Sequence, residues 1–123
     1  MVGILIVSHG AFGEALRRCA SHVLGKRPLR VRQVGITVHD DPDAILPQAQ
    51  GLARDLDDGD GVLVLTDMIG ATPSNIAARL AAPGRVEIVS GASLPMLIRA
   101  LTYRDAPLEA VVESQGRAHP LRR

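Results

Sequence analysis

Val2-Gly3-Ile4-Leu5-Ile6-Val7-Ser8-His9-Gly10 opens with a continuous apolar run rich in β-branched residues and then stops at polar and flexible ones. An unbroken run of this kind marks a strand covered on both faces, the situation of strands in parallel sheets sandwiched between helices. The segments that follow meet that requirement. From about Gly13, the residues Leu16, Cys19, Ala20, Val23 and Leu24 recur at helical spacing, with Arg17, Arg18, Ser21 and His22 off the stripe and Gly25 as a stop signal. Residues 31–38 read as a second strand, whose polar Arg32 and Gln33 suit an edge. Asp41-Pro42 has the chemistry of an N-cap followed by proline in the first turn, and Ile45, Ala49, Leu52, Ala53 and Leu56 form the next helical stripe. The acidic, glycine-containing turn at 57–61 ends it. Residues 61–65 make a third buried strand and 86–89 a shorter fourth, with helix starts expected at Thr72-Pro73-Ser74 and Ser93-Leu94-Pro95.

Strands therefore alternate with helices four times. Parallel neighbours need right-handed crossovers, so the expected fold is α/β: an open doubly wound sheet of four parallel strands in order 2-1-3-4 with helices on both faces. The 123 residues, 46% of them hydrophobic, suffice for one domain over 1–123 with a full core and neither disulfide nor metal. The tail after 106 is ambiguous. Leu108, Val111 and Val112 suit a short helix, while 117–123 is polar enough to be an arm.

Composition excludes several functions. Only Phe12 and Tyr103 are aromatic, which leaves no stacking platform for single-stranded nucleic acid. A net charge of +1 is too balanced for a chain that lives on polyanions or anionic membrane. The opening run is too short for a signal-peptide core, and no segment approaches the roughly 20 apolar residues that cross a bilayer. A cytoplasmic protein with no direct membrane insertion is expected. Cys19, within the helical stripe, is expected to be a buried structural thiol in a reducing compartment. One cysteine and scattered histidines show no ligand spacing, so neither metal nor cofactor is expected.

In open α/β sheets the ligand site lies beyond the carboxyl ends of the strands, where strand order reverses. His9 follows the first strand and Asp67 the third, and in the order 2-1-3-4 these strands are neighbours. Fifty-eight residues of separation should close to side-chain contact. A neutral imidazole with one nitrogen held by a carboxylate keeps the other as a nucleophile, which is a phosphoryl-acceptor design. Gly10, Gly70 and the helix start at Thr72-Pro73-Ser74 are candidates to supply N–H groups and a partial positive end for the phosphoryl oxygens. By pattern alone, the bland alternatives stay open: His9 as a loop residue or helix cap, Asp67 as a turn residue, Thr72 as an N-cap. His22 reads as a solvated helix residue, and His39 and His119 as surface residues.

Three motifs then enter in order. Ile4-Leu-Ile-Val-Ser-His-Gly-Ala-Phe-Gly-Glu-Ala-Leu16 resembles the phosphorylated-histidine segment of the IIA component of the mannose-family phosphoenolpyruvate-dependent sugar phosphotransferase system (PTS). Leu65-Thr-Asp-Met-Ile-Gly-Ala-Thr-Pro-Ser-Asn-Ile-Ala77 is similar to the family's second motif, and Val89-Ser-Gly-Ala-Ser-Leu-Pro-Met-Leu97 to its third. Ala71 departs from the second motif, where a second glycine is common. The resemblance implies that His9 takes phosphate from phospho-HPr and passes it to a histidine of a IIB protein in trans, for sugar uptake or as a regulatory IIA. It implies that Asp67 pairs with the imidazole, that Thr72 matches a hydroxyl beside the phosphate, which adds to Gly10, Gly70 and Ser74 as candidate phosphate-binding residues, and that the chain is a homodimer exchanging a C-terminal strand.

Three neighbouring functions compete. A histidine phosphatase also forms phosphohistidine after its first strand, but Ser8 stands where it carries arginine, and no second catalytic histidine accompanies His9. The phosphotransferase subunit of a dihydroxyacetone kinase resembles the same fold. A non-catalytic regulator that senses phosphorylation of His9 is the third.

Overall fold

The computed structural model describes residues 1–116. Strands β1 (Gly3–His9), β2 (Val31–Ile36), β3 (Val62–Thr66) and β4 (Val86–Ser90) form one parallel sheet in the order β2-β1-β3-β4. Helices α1 (Phe12–Leu24), α2 (Pro42–Leu56), α3 (Thr72–Ala78), α4 (Leu94–Tyr103) and α5 (Leu108–Gly116) cover its two faces. This is the expected doubly wound fold, with β2 at one edge.

The apolar run of β1 is explained by its alternation. Ile4 and Ile6 point into a core with Leu16 and Ala20 of α1, Met96, Leu97 and Ala100 of α4, and Leu108 and Val111 of α5. Leu5 and Val7 point the other way, against Leu46, Ala49 and Ala53 of α2 and Ile76 and Ala77 of α3. All four β1 side chains are completely buried, and each contributes about 1.5–3 kcal/mol relative to exposure. The strand that carries His9 is thus, like β3, packed on both faces.

Local signals match the helix boundaries. The Asp41 carboxylate accepts the Asp43 N–H at 3.0 Å with Pro42 in the first turn, and Ser93 caps α4 by accepting from Met96 at 3.4 Å. Gly25 ends α1 at φ +72°. A buried Arg104 ties the far end of the sheet together, donating to the carbonyls of Val2, Leu29 and Arg30 at 2.6–3.1 Å.

Three expectations need correction. Cys19 is exposed rather than buried. The buried line of α1 is only Gly13, Leu16 and Ala20, and at about 100° per residue Cys19 turns away from it, as do Val23 and Leu24. The second strand ends at Ile36, so Val38 lies beyond it and is 95% exposed. Thr72 is the first residue of α3, not its cap; Ala71 holds the cap position, with no side-chain capping bond. The ambiguity after 106 resolves as α5, which buries Leu108 and Val111. The expected arm at 117–123, His119 and the exchanged strand lie outside the described residues.

Candidate functional site

β1 and β3 are neighbours, with Val7 opposite Thr66, so His9 and Asp67 leave the sheet at the same edge. The Asp67 carboxylate closes the gap. Its Oδ2 accepts the backbone N–H of His9 at 2.9 Å and stands 2.7 Å from Nδ1 of the His9 ring, while Oδ1 accepts the Met68 N–H at 3.0 Å.

Two effects compete at this carboxyl. Burial, with the side chain only 14% exposed, pushes its pKa up. Hydrogen bonds from the His9 amide and ring, attraction to that ring, and the Met68 amide outweigh burial and hold Asp67 below the ordinary carboxylate value. An ionised carboxylate can only accept, so in the neutral imidazole Nδ1 carries the proton and Nε2 keeps its lone pair. The His9 side chain is 49% exposed, and its Nε2 has no hydrogen-bond partner among the described residues. The imidazole is oriented from beneath and open from above.

The four expected phosphate ligands fare differently. Gly10 donates its N–H to the Ile36 carbonyl at 2.9 Å, and Gly70 donates to Ser74 Oγ at 3.0 Å. The Ser74 hydroxyl in turn donates to the Ala71 carbonyl at 3.0 Å. In this conformation these three groups shape the loops rather than offering free donors to an anion, because each hydrogen already has a protein acceptor. Thr72 remains exposed, and its hydroxyl has no hydrogen-bond partner among the described residues. The start of α1, three residues beyond His9, lacks a capping side chain at Ala11, although one of its first-turn amides, that of Gly13, is taken by Ser8 Oγ.

Two features were not anticipated. Ser8 is fully buried, and its Oγ accepts the Gly13 N–H at 3.0 Å, anchoring the first turn of α1 beside His9. A hydroxyl at the end of an otherwise apolar buried strand was the available signal. The second is an apolar rim on the loops at this edge: Phe12, Val38, Met68 and Ile69 are 40%, 95%, 56% and 80% exposed. Water contact of this extent is unfavourable for such side chains and suits a surface that becomes covered. His22 and His39 are exposed, and neither makes a hydrogen bond or ion pair with His9 or Asp67 among the described residues. Among the described residues no group of three or more His, Cys, Asp or Glu side chains is arranged to hold a metal, and no helix is long and apolar enough to cross a membrane.

Comparison with known proteins bears on this arrangement. The EIIA-man family, described as PTS system fructose IIA component, matches residues 3–114. The PTS system mannose-specific EIIAB component of Escherichia coli (strain K12) is 29% identical over 105 residues, covering 85% of this chain and 32% of that protein. The chain thus spans about a third of the length of that relative. The PTS system fructose-specific EIIA component of Bacillus subtilis (strain 168) is 26% identical over 106 residues, covering 85% of this chain and 72% of that one. Among solved structures, EIIA from Streptococcus agalactiae superposes with a TM-score of 0.84 at 24% identity, over 96% of this chain and 92% of that one. The PTS IIA protein associated with the fucose utilization operon of Streptococcus pneumoniae gives 0.75 at 28% identity, over 96% and 93%. With its fold, strand order and nearly full-length match in agreement, the chain belongs to the EIIA-man family, the IIA components of the fructose and mannose branch of the phosphotransferase system.

Proposed function

We propose that the chain carries a phosphoryl group on Nε2 of His9, taken from phospho-HPr and passed to a histidine of a IIB protein or domain. The 2.7 Å contact between His9 Nδ1 and Asp67 carries this reading, because it selects the tautomer with a free Nε2. In the forward step the Nε2 lone pair attacks phosphorus while the P–N bond of the donor breaks, and that bonding pair returns to the donor ring. Transfer to the IIB histidine repeats the step with His9 as the leaving group. As Nε2 bonds to phosphorus the His9 ring gains positive character, and the ionised Asp67 is placed to stabilise it. The Thr72 hydroxyl is our candidate to meet the phosphoryl oxygens, together with the amides of the first turn of α1 that Ser8 does not occupy.

The exchange belongs in the cytoplasm, with an apolar partner surface covering Phe12, Val38, Met68 and Ile69 while water is excluded. A homodimer is part of the same proposal. It is supported by β4, whose five residues are all half-buried and which is an outer strand of the sheet among the described residues, with grooves beside it. The deciding experiment incubates the protein with enzyme I, HPr and phosphoenolpyruvate and reads intact mass. Gain of one phosphoryl group, then its loss on adding a cognate IIB, is expected. Labelling with no transfer to any IIB would favour a regulatory role, and no labelling would defeat the reading.

A further inference from the structure

Three consecutive residues at the end of β1 are fixed to three different elements. Ser8 holds the Gly13 N–H at the start of α1, His9 donates its N–H to Asp67 after β3, and Gly10 donates its N–H to Ile36 on β2. The third attachment is unusually close. Gly10 adopts a left-handed φ of +48°, which directs its carbonyl onto the neighbouring strand, where Ser8 pairs with Gly35 and His9 with Ile36. A Cβ on Gly35 would stand 2.1 Å from the Gly10 oxygen, whereas real Cβ atoms essentially never approach closer than 3.0 Å. The obstructing atom is backbone and cannot rotate aside. Any side chain at 35 must drive the Gly10 carbonyl back by about 1 Å, and with it the residue before.

We infer that Gly35 is a positioning residue for His9: its bare Cα lets the Gly10 turn seat on β2, and that seating aims the imidazole at Asp67. The ring is half exposed and makes one recorded side-chain contact, so its direction depends on where the backbone presents it. A shift of about 1 Å at Gly10 alters the approach of Nδ1 to Oδ2, and a misplacement of that size near a reacting group costs on the order of 10²-fold in rate. The consequence for transfer rests on His9 being the phosphoryl acceptor; the consequence for the ring does not.

The test is Gly35→Ala, with Gly51→Ala as control because a Cβ at 51 meets nothing within 4 Å. ¹⁵N NMR of the imidazoles reads the His9 tautomer, and phospho-HPr transfer reads the rate. Native protein and Gly51→Ala should show the Nδ1-protonated form and equal rates. Folded Gly35→Ala should show mixed tautomers and a roughly 10- to 100-fold slower transfer. A purely structural glycine would lower the unfolding midpoint yet leave the tautomer of the folded protein unchanged. If Gly35→Ala does not fold, Gly10→Val strains the same turn from within, since its Cβ meets nothing but a β-branched residue resists positive φ. A native tautomer and rate in either folded variant overturns the inference. If native protein takes no label, the acceptor reading fails, and the tautomer alone decides the role of Gly35.

Discussion

Replacing Asp67 by Asn is the sharpest probe of the site because it preserves shape and changes only charge and donor pattern. The native carboxylate accepts three contacts, two at Oδ2 and one at Oδ1. An amide has a single acceptor oxygen. If that oxygen faces His9, the NH2 group opposes the Met68 N–H; if it faces Met68, the NH2 group opposes the His9 amide and donates to Nδ1. The second arrangement shifts the ring proton to Nε2 and removes the nucleophile. In either one, a charge-assisted hydrogen bond worth about 1.5–3 kcal/mol is lost, which corresponds to roughly a 10- to 100-fold slower reaction. The assay is rapid-quench transfer from phospho-HPr at several pH values between about 6 and 8, with unfolding curves to show that the variant is folded. Equal rates for native and Asp67→Asn protein throughout would reduce Asp67 to a turn residue and refute the reasoning.

His9→Ala should abolish labelling, read by intact mass, whereas His22→Ala, His39→Ala and His119→Ala should retain it. In acid, the depressed Asp67 contributes stability that is present above its unfolded pKa of about 3.9 and is lost as pH falls through the lower folded value. Urea midpoints measured from about pH 6 to pH 2 should therefore fall less steeply in Asp67→Asn than in the native protein. Deleting 117–123 should weaken self-association, measured by sedimentation at micromolar concentration; a native protein that is already monomeric there contradicts the dimer. Ile69→Asp should raise KM for phospho-HPr about tenfold, the effect of losing about 1.4 kcal/mol of docking energy, with labelling by a small phosphoramidate donor unchanged.

The fold was legible because β1, β3 and the amphipathic helices obey simple periods, and because a parallel sheet leaves few topologies. The His9–Asp67 contact was legible for the same reason: once β1 and β3 are neighbours, the residues just past their ends must meet. What was not legible depends on rotation and on backbone direction. Cys19 lies at an apolar spacing yet turns outward, since α1 touches the sheet along a line as narrow as Gly13, Leu16 and Ala20. Gly10, Gly70 and Ser74 were the expected donors, but hydrogen bonds within their own loops decide where their hydrogens point, and composition carries no trace of that. Gly35 was overlooked because its neighbour in space, Gly10, is contributed by another strand end.

The contrast in exposure between the two partners of the pair, 14% for Asp67 and 49% for His9, bears on how the phosphohistidine we propose would survive. Among the described residues the His9 ring has no hydrogen-bond or ion-pair partner besides Asp67. Asp67 holds Nδ1 and not Nε2, the atom at which we propose transfer takes place. Hydrolysis needs an activated water there, whereas transfer needs only a second imidazole delivered in line. On the proposed function, the same geometry would slow loss of the phosphoryl group to solvent and leave exchange between histidines open. The apolar rim would add to this selectivity, since a partner surface that covered Val38 and Ile69 would displace water from the face at which the proposed transfer takes place.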